Sequence, residues 1–319
     1  MNNFWENKKV LVTGAGGFVG SFLCKELVNR NATITAVVRN KVLSKNKLFF
    51  LDNDFIKEAD LTDYNQTKDL IKEETIVIHS AALDGGSDFK NQFAYKIFQE
   101  NTLINLNLKE ALRGKEIEKF LYISSAEVYL NVKSKEKIKE EDFLMFSPTE
   151  ISYWYPFSKI LGEIIAHSIK EELGIKTIIV RPANIYGESD NPNKKRLIPL
   201  LLKAVKDNKK ETLLKGDGTS RRSFIYVTDY VNNLLELIPV SNGGIYNIAG
   251  KNIISIKEFV KIFSEISGLI ISFSNKNLKQ KKANNDFILD ISKLEKAIPI
   301  FSDSDYKKRL TEMIRALNK

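Results

Sequence analysis

Cysteine and histidine are nearly missing from this chain: Cys24 stands alone, and His79 and His167 are the only imidazoles in 319 residues. One thiol cannot close an intramolecular disulfide, and it lies among apolar residues where its role is packing. Two histidines far apart in sequence, with no carboxylates at ligand spacing, give no expectation of a metal. Long apolar runs are absent too. Residues 1–9 are polar, and no run approaches the roughly 20 apolar residues that a membrane helix needs, so a cytoplasmic protein without a membrane partner is expected. Positive charge is in modest excess, 49 Lys and Arg against 40 Asp and Glu, for a net charge of +9. The lysines are scattered and often stand beside Asn, Asp or Glu, and no nucleic-acid motif accompanies them. The excess reads as a solvated surface that also suits an anionic ligand.

What is present is a glycine-rich turn, T-G-A-G-G-F-V-G at residues 13–20. It follows a short apolar strand, Val10-Leu11-Val12, and opens a segment in which Phe18, Val19, Phe22, Leu23, Leu27 and Val28 recur at helical spacing. A side chain at Gly14 or Gly17 would obstruct the turn or a pyrophosphate, and Gly20 permits close packing of the helix on the sheet. Phosphates would sit at the helix N-terminus, where free N–H groups and the macrodipole favour an anion. Gly14, Gly17, Phe18, Val19 and Gly20 are therefore candidate dinucleotide-binding residues.

Apolar segments 10–12, 33–38, 76–80, 119–124 and 176–180 alternate with helical stretches, the pattern of a parallel sheet covered on both faces. Right-handed crossovers bring the glycine turn, the following strand ends and the Ser125 segment to one carboxyl-terminal edge. After Pro182 the pattern loosens, with a charged loop near 276–286 carrying Lys279, Lys281 and Lys282. Residues 1–186 and 223–248 are expected to form the nucleotide domain, and 187–222 and 249–319 a smaller substrate lobe. Tyr155 and Lys159, four apart on a helix, share a face. That spacing suits proton transfer, since a nearby cation favours the phenolate and lowers its pKa.

Seven motifs occur in order: T-G-A-G-G-F-V-G at 13, A-D-L-T-D at 59, H-S-A-A at 79, S-S-A-E-V-Y at 124, Y-P-F-S-K at 155, R-P-A-N-I-Y-G at 181 and R-S-F-I-Y-V at 222. Over nearly its whole length the chain resembles an extended short-chain dehydrogenase/reductase of the NAD(P)-dependent nucleotide-sugar epimerase/dehydratase family. The resemblance implies an α/β fold, a Rossmann-type doubly wound parallel sheet with a smaller C-terminal substrate-binding lobe. It implies NAD or NADP as cofactor. Asp60 and Leu61 would lie by the adenine, Ala81 and Ala82 would leave room for ribose and phosphates, and Lys159 would hydrogen-bond the nicotinamide ribose. Arg39 ends the second strand where an acid would hold the ribose of NAD, and so favours NADP. Ser125 would orient a sugar oxygen and Tyr155 would carry its proton. Asn184 and Arg222 would contact the substrate diphosphate, although Ser223 replaces the more usual acid beside Arg222. Family members commonly dimerise through two helices, here 92–113 and 152–172, so a homodimer is expected.

The residues after Ser125 bear on the reaction. Ala126 can supply neither the acid nor the hydroxyl usual in 4,6-dehydratases, and Ala126 and Ser189 stand where a 3,5-epimerising reductase would carry Cys and His. The expected reaction is hydride transfer at a ring carbon, C4, of a nucleotide-activated sugar, by a 4-epimerase or a 4-ketoreductase. Gly85-Gly86 and the I-Y-G-E-S-D-N segment resemble enzymes of GDP-linked sugars. The alternatives are a 4,6-dehydratase or decarboxylase with Glu127 as base, and a non-catalytic NADP-binding regulatory protein.

Overall fold

The computed structural model describes residues 4–129, 137–142, 149–190, 196–274, 286–302 and 305–317. The expected charged loop, with Lys279, Lys281 and Lys282, lies outside them apart from Asp286. In chain order the strands are β1 (Lys9–Thr13), β2 (Thr33–Val38), β3 (Ile56–Glu58), β4 (Ile76–His79), β5 (Lys119–Ile123), β6 (Lys176–Pro182), β7 (Asn184–Tyr186), β8 (Glu211–Lys215), β9 (Arg221–Tyr226), β10 (Gly244–Ile248), β11 (Ile253–Ser255) and β12 (Ile270–Ser274). The helices are α1 (Phe18–Asn29), α2 (Lys41–Ser44), α3 (Tyr64–Thr67), α4 (Ser87–Gln92), α5 (Ala94–Leu112), α6 (Trp154–Leu173), α7 (Leu197–Lys206), α8 (Val227–Val240), α9 (Ile256–Ser267), α10 (Ser292–Ala297) and α11 (Tyr306–Leu317).

Seven strands form one parallel sheet in the order β10-β6-β5-β4-β1-β2-β3. The fold is thus the expected α/β architecture with a doubly wound sheet. Both faces are buried, which is why the strands read as apolar runs without polar alternation. Val10, Val12, Ile34, Ala36, Ile76, Ile78 and Leu121 pack under α1 and α8, with Cys24 among them. Their sequence neighbours Leu11, Val37, Val77, Phe120 and Tyr122 point the other way and pack under α5 and α6. Strand β10 was not among the segments expected. It starts at Gly244, which like the preceding Gly243 has positive φ, so the strand opens without the apolar side chains that would mark it.

The chain leaves β1 towards β2 on one side and reaches β4 on the other, so β1 and β4 flank the reversal in strand order. Ligands of open α/β sheets bind outside the strand ends at such a point. A separate aromatic core, built on Tyr186, Phe224, Tyr226, Phe259 and Tyr306 with α7, α9 and α11, packs against Phe18 and Phe22 of α1. The three-stranded sheet β11-β9-β7 belongs to this part, and it stands beside the carboxyl edge of the large sheet.

Candidate active site

A cavity of about 780 Å³ runs along that edge, within the range of ligand pockets. Its wall takes residues from the end of every strand from β1 to β6: Gly14 to Gly20 except Ala15, then Val38 and Arg39, Ala59 and Leu61, Ser80 to Asp84, Ile123 to Glu127, and Pro182 to Asn184. Tyr155 and Lys159 of α6 complete it, and Leu197 to Pro199 of α7 close the far side.

The glycine turn is shaped as a cradle. Gly14 has φ of 68°, and a Cβ there would lie 2.8 Å from the backbone of Ala81. A Cβ at Gly20 would run into the carbonyl oxygen of Gly14, so this glycine serves the closeness of the turn to its own helix rather than helix packing on the sheet. No side chain caps the start of α1 and no acid occupies its first turn, which leaves its N-terminal N–H groups and positive dipole end directed at the cavity. These features fit the pyrophosphate of a dinucleotide. Arg39 reaches the rim from the end of β2 and pairs with Glu100 at 3.0 Å. Ala81 and Ala82 line the wall as expected. Asp60 does not: its Oδ1 accepts from the backbone N–H and the hydroxyl of Thr62, closing a turn that presents Ala59 and Leu61 instead. That turn lowers the pKa of the Asp60 carboxyl.

Between β1 and β4 the edge is held by a buried histidine. His79 meets the Thr13 hydroxyl through Nδ1 at 2.6 Å and the Asn105 carbonyl oxygen through Nε2 at 3.1 Å, while the Ala81 N–H donates to Thr13 Oγ1. Burial, with the charge of Lys159, pushes its pKa down to about 3. Above about pH 6.5 neither the folded nor the unfolded chain protonates this residue. Below it the unfolded chain takes the proton and the folded one does not until about pH 3, so stability falls with pH by about 1.4 kcal/mol per unit in that window. Urea midpoints at pH 7 and pH 5 should show this loss in the parent chain, and a slope smaller by one proton in His79→Asn.

Tyr155 is buried near the N-terminus of α6 and lies within hydrogen-bond reach of the Ser125 hydroxyl. Lys159, one turn on, donates to the carbonyl oxygen of Ile123 at 2.9 Å. The structure therefore gathers Ser125, Tyr155 and Lys159 at one place. The expected lowering of the phenol pKa is not met. Burial holds the phenol well above its ordinary value, the carboxylates of Asp84 and Glu127 add to this, and Ser125 opposes it. Burial likewise lowers Lys159 to about 8.

Four further features were not singled out in the sequence. Lys90 of α4 sits over the Tyr155 ring, 3.7 Å from its centroid, and pairs with both Asp84 and Glu127. Asn101 of α5 accepts from Leu83 N–H and donates to Leu83 O and the Ser158 hydroxyl, clipping the loop after β4 to α6. Arg196 lines the far wall and is paired with buried Asp190 at 2.8 Å. Glu163, four residues after Lys159, receives two hydrogen bonds from Arg181 and one from Ser124. Only the polar residues inside otherwise apolar helical faces, Asn101 and Glu163, left a local trace. Of the expected diphosphate contacts, Asn184 lines the cavity, whereas Arg222 does not: its strand pairs with Phe287, and it is Phe287 that reaches the wall. Among the described residues no group of three or more His, Cys, Asp or Glu is placed to hold a metal, and no helix is long and apolar enough to cross a membrane.

Comparison with known proteins agrees with this geometry. The dTDP-4-dehydro-6-deoxy-D-allose reductase of Streptomyces bikiniensis is 31% identical over 271 residues, covering 83% of this chain and 82% of that protein. Among solved structures, the UDP-glucose 4-epimerase of Thermotoga maritima superposes with a TM-score of 0.83 at 19% identity, over 97% of this chain and 98% of the other. The UDP-glucuronic acid 4-epimerase of Bacillus cereus, solved with UDP-glucuronic acid and NAD, gives 0.80 at 23% identity, over 97% and 99%. The model of the NAD dependent epimerase/dehydratase family matches residues 10–249, and the chain belongs to that family.

Proposed function

We propose that the chain is an NAD(P)-dependent 4-ketoreductase of a nucleotide-activated 6-deoxy sugar. One observation carries the choice over elimination. Ala126 is buried in an apolar cluster and Glu127 is paired to Lys90, so the segment after Ser125 offers no acid and base for removing water. The Tyr155 phenol and the Ser125 hydroxyl stand together on the cavity wall, where they can hold a ketone oxygen and give it a proton. A 4-epimerase uses the same residues and differs in reducing the ketone from either face.

Gly14, Gly17 and the start of α1 would hold a nicotinamide dinucleotide, which when bound would supply the hydride. The chain's own residues do the rest. Ser125 holds the C4 oxygen, Tyr155 delivers its proton to that oxygen as the C–H bond forms, and Lys159 steadies the charge left on the phenolate. Asn184, on the cavity wall, would face the diphosphate, and Arg196 on the far wall offers a second donor. Arg222 lies just outside the cavity wall, behind its bridge partner Phe287. Arg39 favours NADP: its pair with Glu100 is an exposed one of the kind worth little, which a 2′-phosphate readily replaces. The reductase from Streptomyces, named for a dTDP-linked sugar, supports that nucleotide ahead of the GDP-linked reading. A homodimer is supported by α5 and α6, which pack side by side and leave Tyr95, Leu103, Leu106 and Ile164 exposed. A nucleotide domain of residues 1–186 and 223–248 beside a substrate lobe of 187–222 and 249–319 is supported by the large sheet and the separate aromatic core, although β7 and β9 pack with the latter.

The test is product mass after incubation with dTDP-4-dehydro-6-deoxyglucose and its GDP counterpart, each with NADH or NADPH. The expected product gains two hydrogens as cofactor is consumed. With dTDP-glucose and GDP-mannose and the oxidised cofactor in a second set of incubations, unchanged mass with changed retention assigns 4-epimerisation, and loss of water overturns the reading of Ala126.

A further inference from the structure

One lysine reaches the Tyr155 phenol from a helix other than its own. Lys159 comes from α6, the helix of Tyr155 itself, and Lys90 from the short α4. The ammonium of Lys90 lies 3.7 Å from the centroid of the Tyr155 ring and is largely withdrawn from solvent. It bridges Asp84, in the loop after β4, at 3.2 Å and Glu127, in the turn after β5. The same two carboxylates act on Tyr155 and on Lys159. The charged and titratable groups facing this point are thus Asp84, Glu127, Lys159, Tyr122 under Lys159 and, 3.8 Å beyond Asp84, Arg196.

We propose that Lys90 is a positioning residue for proton transfer: it pins Asp84 and Glu127 in one bridge beside Tyr155 and presents its own positive charge to the face of the phenol ring. The inference rests on Tyr155 as the proton carrier. Without Lys90, two anions face a buried phenol with nothing shared between them, and a phenolate becomes costlier to form. With it, the carboxylates are neutralised in place, and the ring gains a cation on its negative face. The same bridge occupies Glu127, so Lys90 also withholds that carboxylate from acting as a base on the sugar.

The experiment reads the ionisation of Tyr155 itself. Ultraviolet phenolate absorbance is titrated with NAD+ present in the parent chain and in Tyr155→Phe, and the difference is the curve of this one phenol. The pair of titrations is repeated in Lys90→Met and Lys90→Arg backgrounds. The midpoint should rise by about one unit or more in Lys90→Met and return in Lys90→Arg, as expected for a charge at this distance. An unmoved midpoint overturns the proposal, as does a shift that arginine fails to restore. Should Lys90→Met not fold, Lys90→Gln removes the charge while keeping a hydrogen-bond donor. Because the readout is independent of turnover, its failure leaves the assigned reaction standing, and a failed reductase assay leaves the midpoint shift to be judged alone.

Discussion

Tyr155→Phe lowers turnover by about 10²–10⁴-fold, the span that a positioned proton donor contributes, and leaves the fold and dinucleotide affinity in place. Only the hydroxyl oxygen is lost. The ring keeps its place under Lys90, and Ser125 and Lys159 keep their backbone anchors through Glu127 N–H and Ile123 O. The glycine turn and the open start of α1 lie elsewhere along the edge, so the affinity for NAD+ or NADP+, read by calorimetry, should change by no more than about twofold, in the range of a surface change. The discriminating measurement is the single-turnover rate with the 4-keto sugar and reduced cofactor. A Phe variant that turns over at the parent rate would refute the role of Tyr155 and with it the reductase assignment. A variant that loses both binding and rate would instead place Tyr155 in the cofactor site.

The glycine turn, the strand ends and the Tyr155 helix were legible because each is written in adjacent residues. A buried parallel strand needs an apolar run, a tight approach needs glycine, and two residues four apart must share a helical face. Strand β10 left no such trace, since two glycines at positive φ replace the residues that would have shown it. The chemistry around Tyr155 was less legible for a different reason. Lys90, Asp84 and Glu127 come from three separate elements, and only tertiary packing makes them one bridge. From spacing alone Lys159 should lower the phenol pKa. Burial outweighs it, and burial at Tyr155 is decided by residues far away in the chain. Arg222 shows the converse: its place in the motif is readable even with Ser223 beside it, yet Phe287, bridged to it, is the side chain on the wall.

Glu163→Ala should cost about 3–5 kcal/mol of stability, the loss typical of breaking one partner out of a buried ion pair. Glu163 and Arg181 are both almost fully buried and meet through two parallel hydrogen bonds, 2.9 and 2.6 Å. Removing the carboxylate leaves the Arg181 guanidinium with only the Tyr129 hydroxyl and the Glu140 carbonyl as partners, at 2.7 and 2.9 Å. Those neutral acceptors cannot repay the cost of desolvating its charge. Urea denaturation of the parent and the variant measures the difference, with a shift in midpoint at unchanged slope as the expected result. Glu163→Leu combined with Arg181→Met removes both charges and fills their space, and should recover most of the stability. Turnover should not recover with it. The Glu163 carboxylate also accepts from the Ser124 hydroxyl at 2.5 Å, and Ser124 is joined directly to Ser125, so the end of β5 loses its anchor to α6 whether or not the core is repaired. A double variant that regained both stability and rate would show that the pair only fills the core; one that regains stability alone shows that the buried charge is kept because it fixes Ser125 against Tyr155.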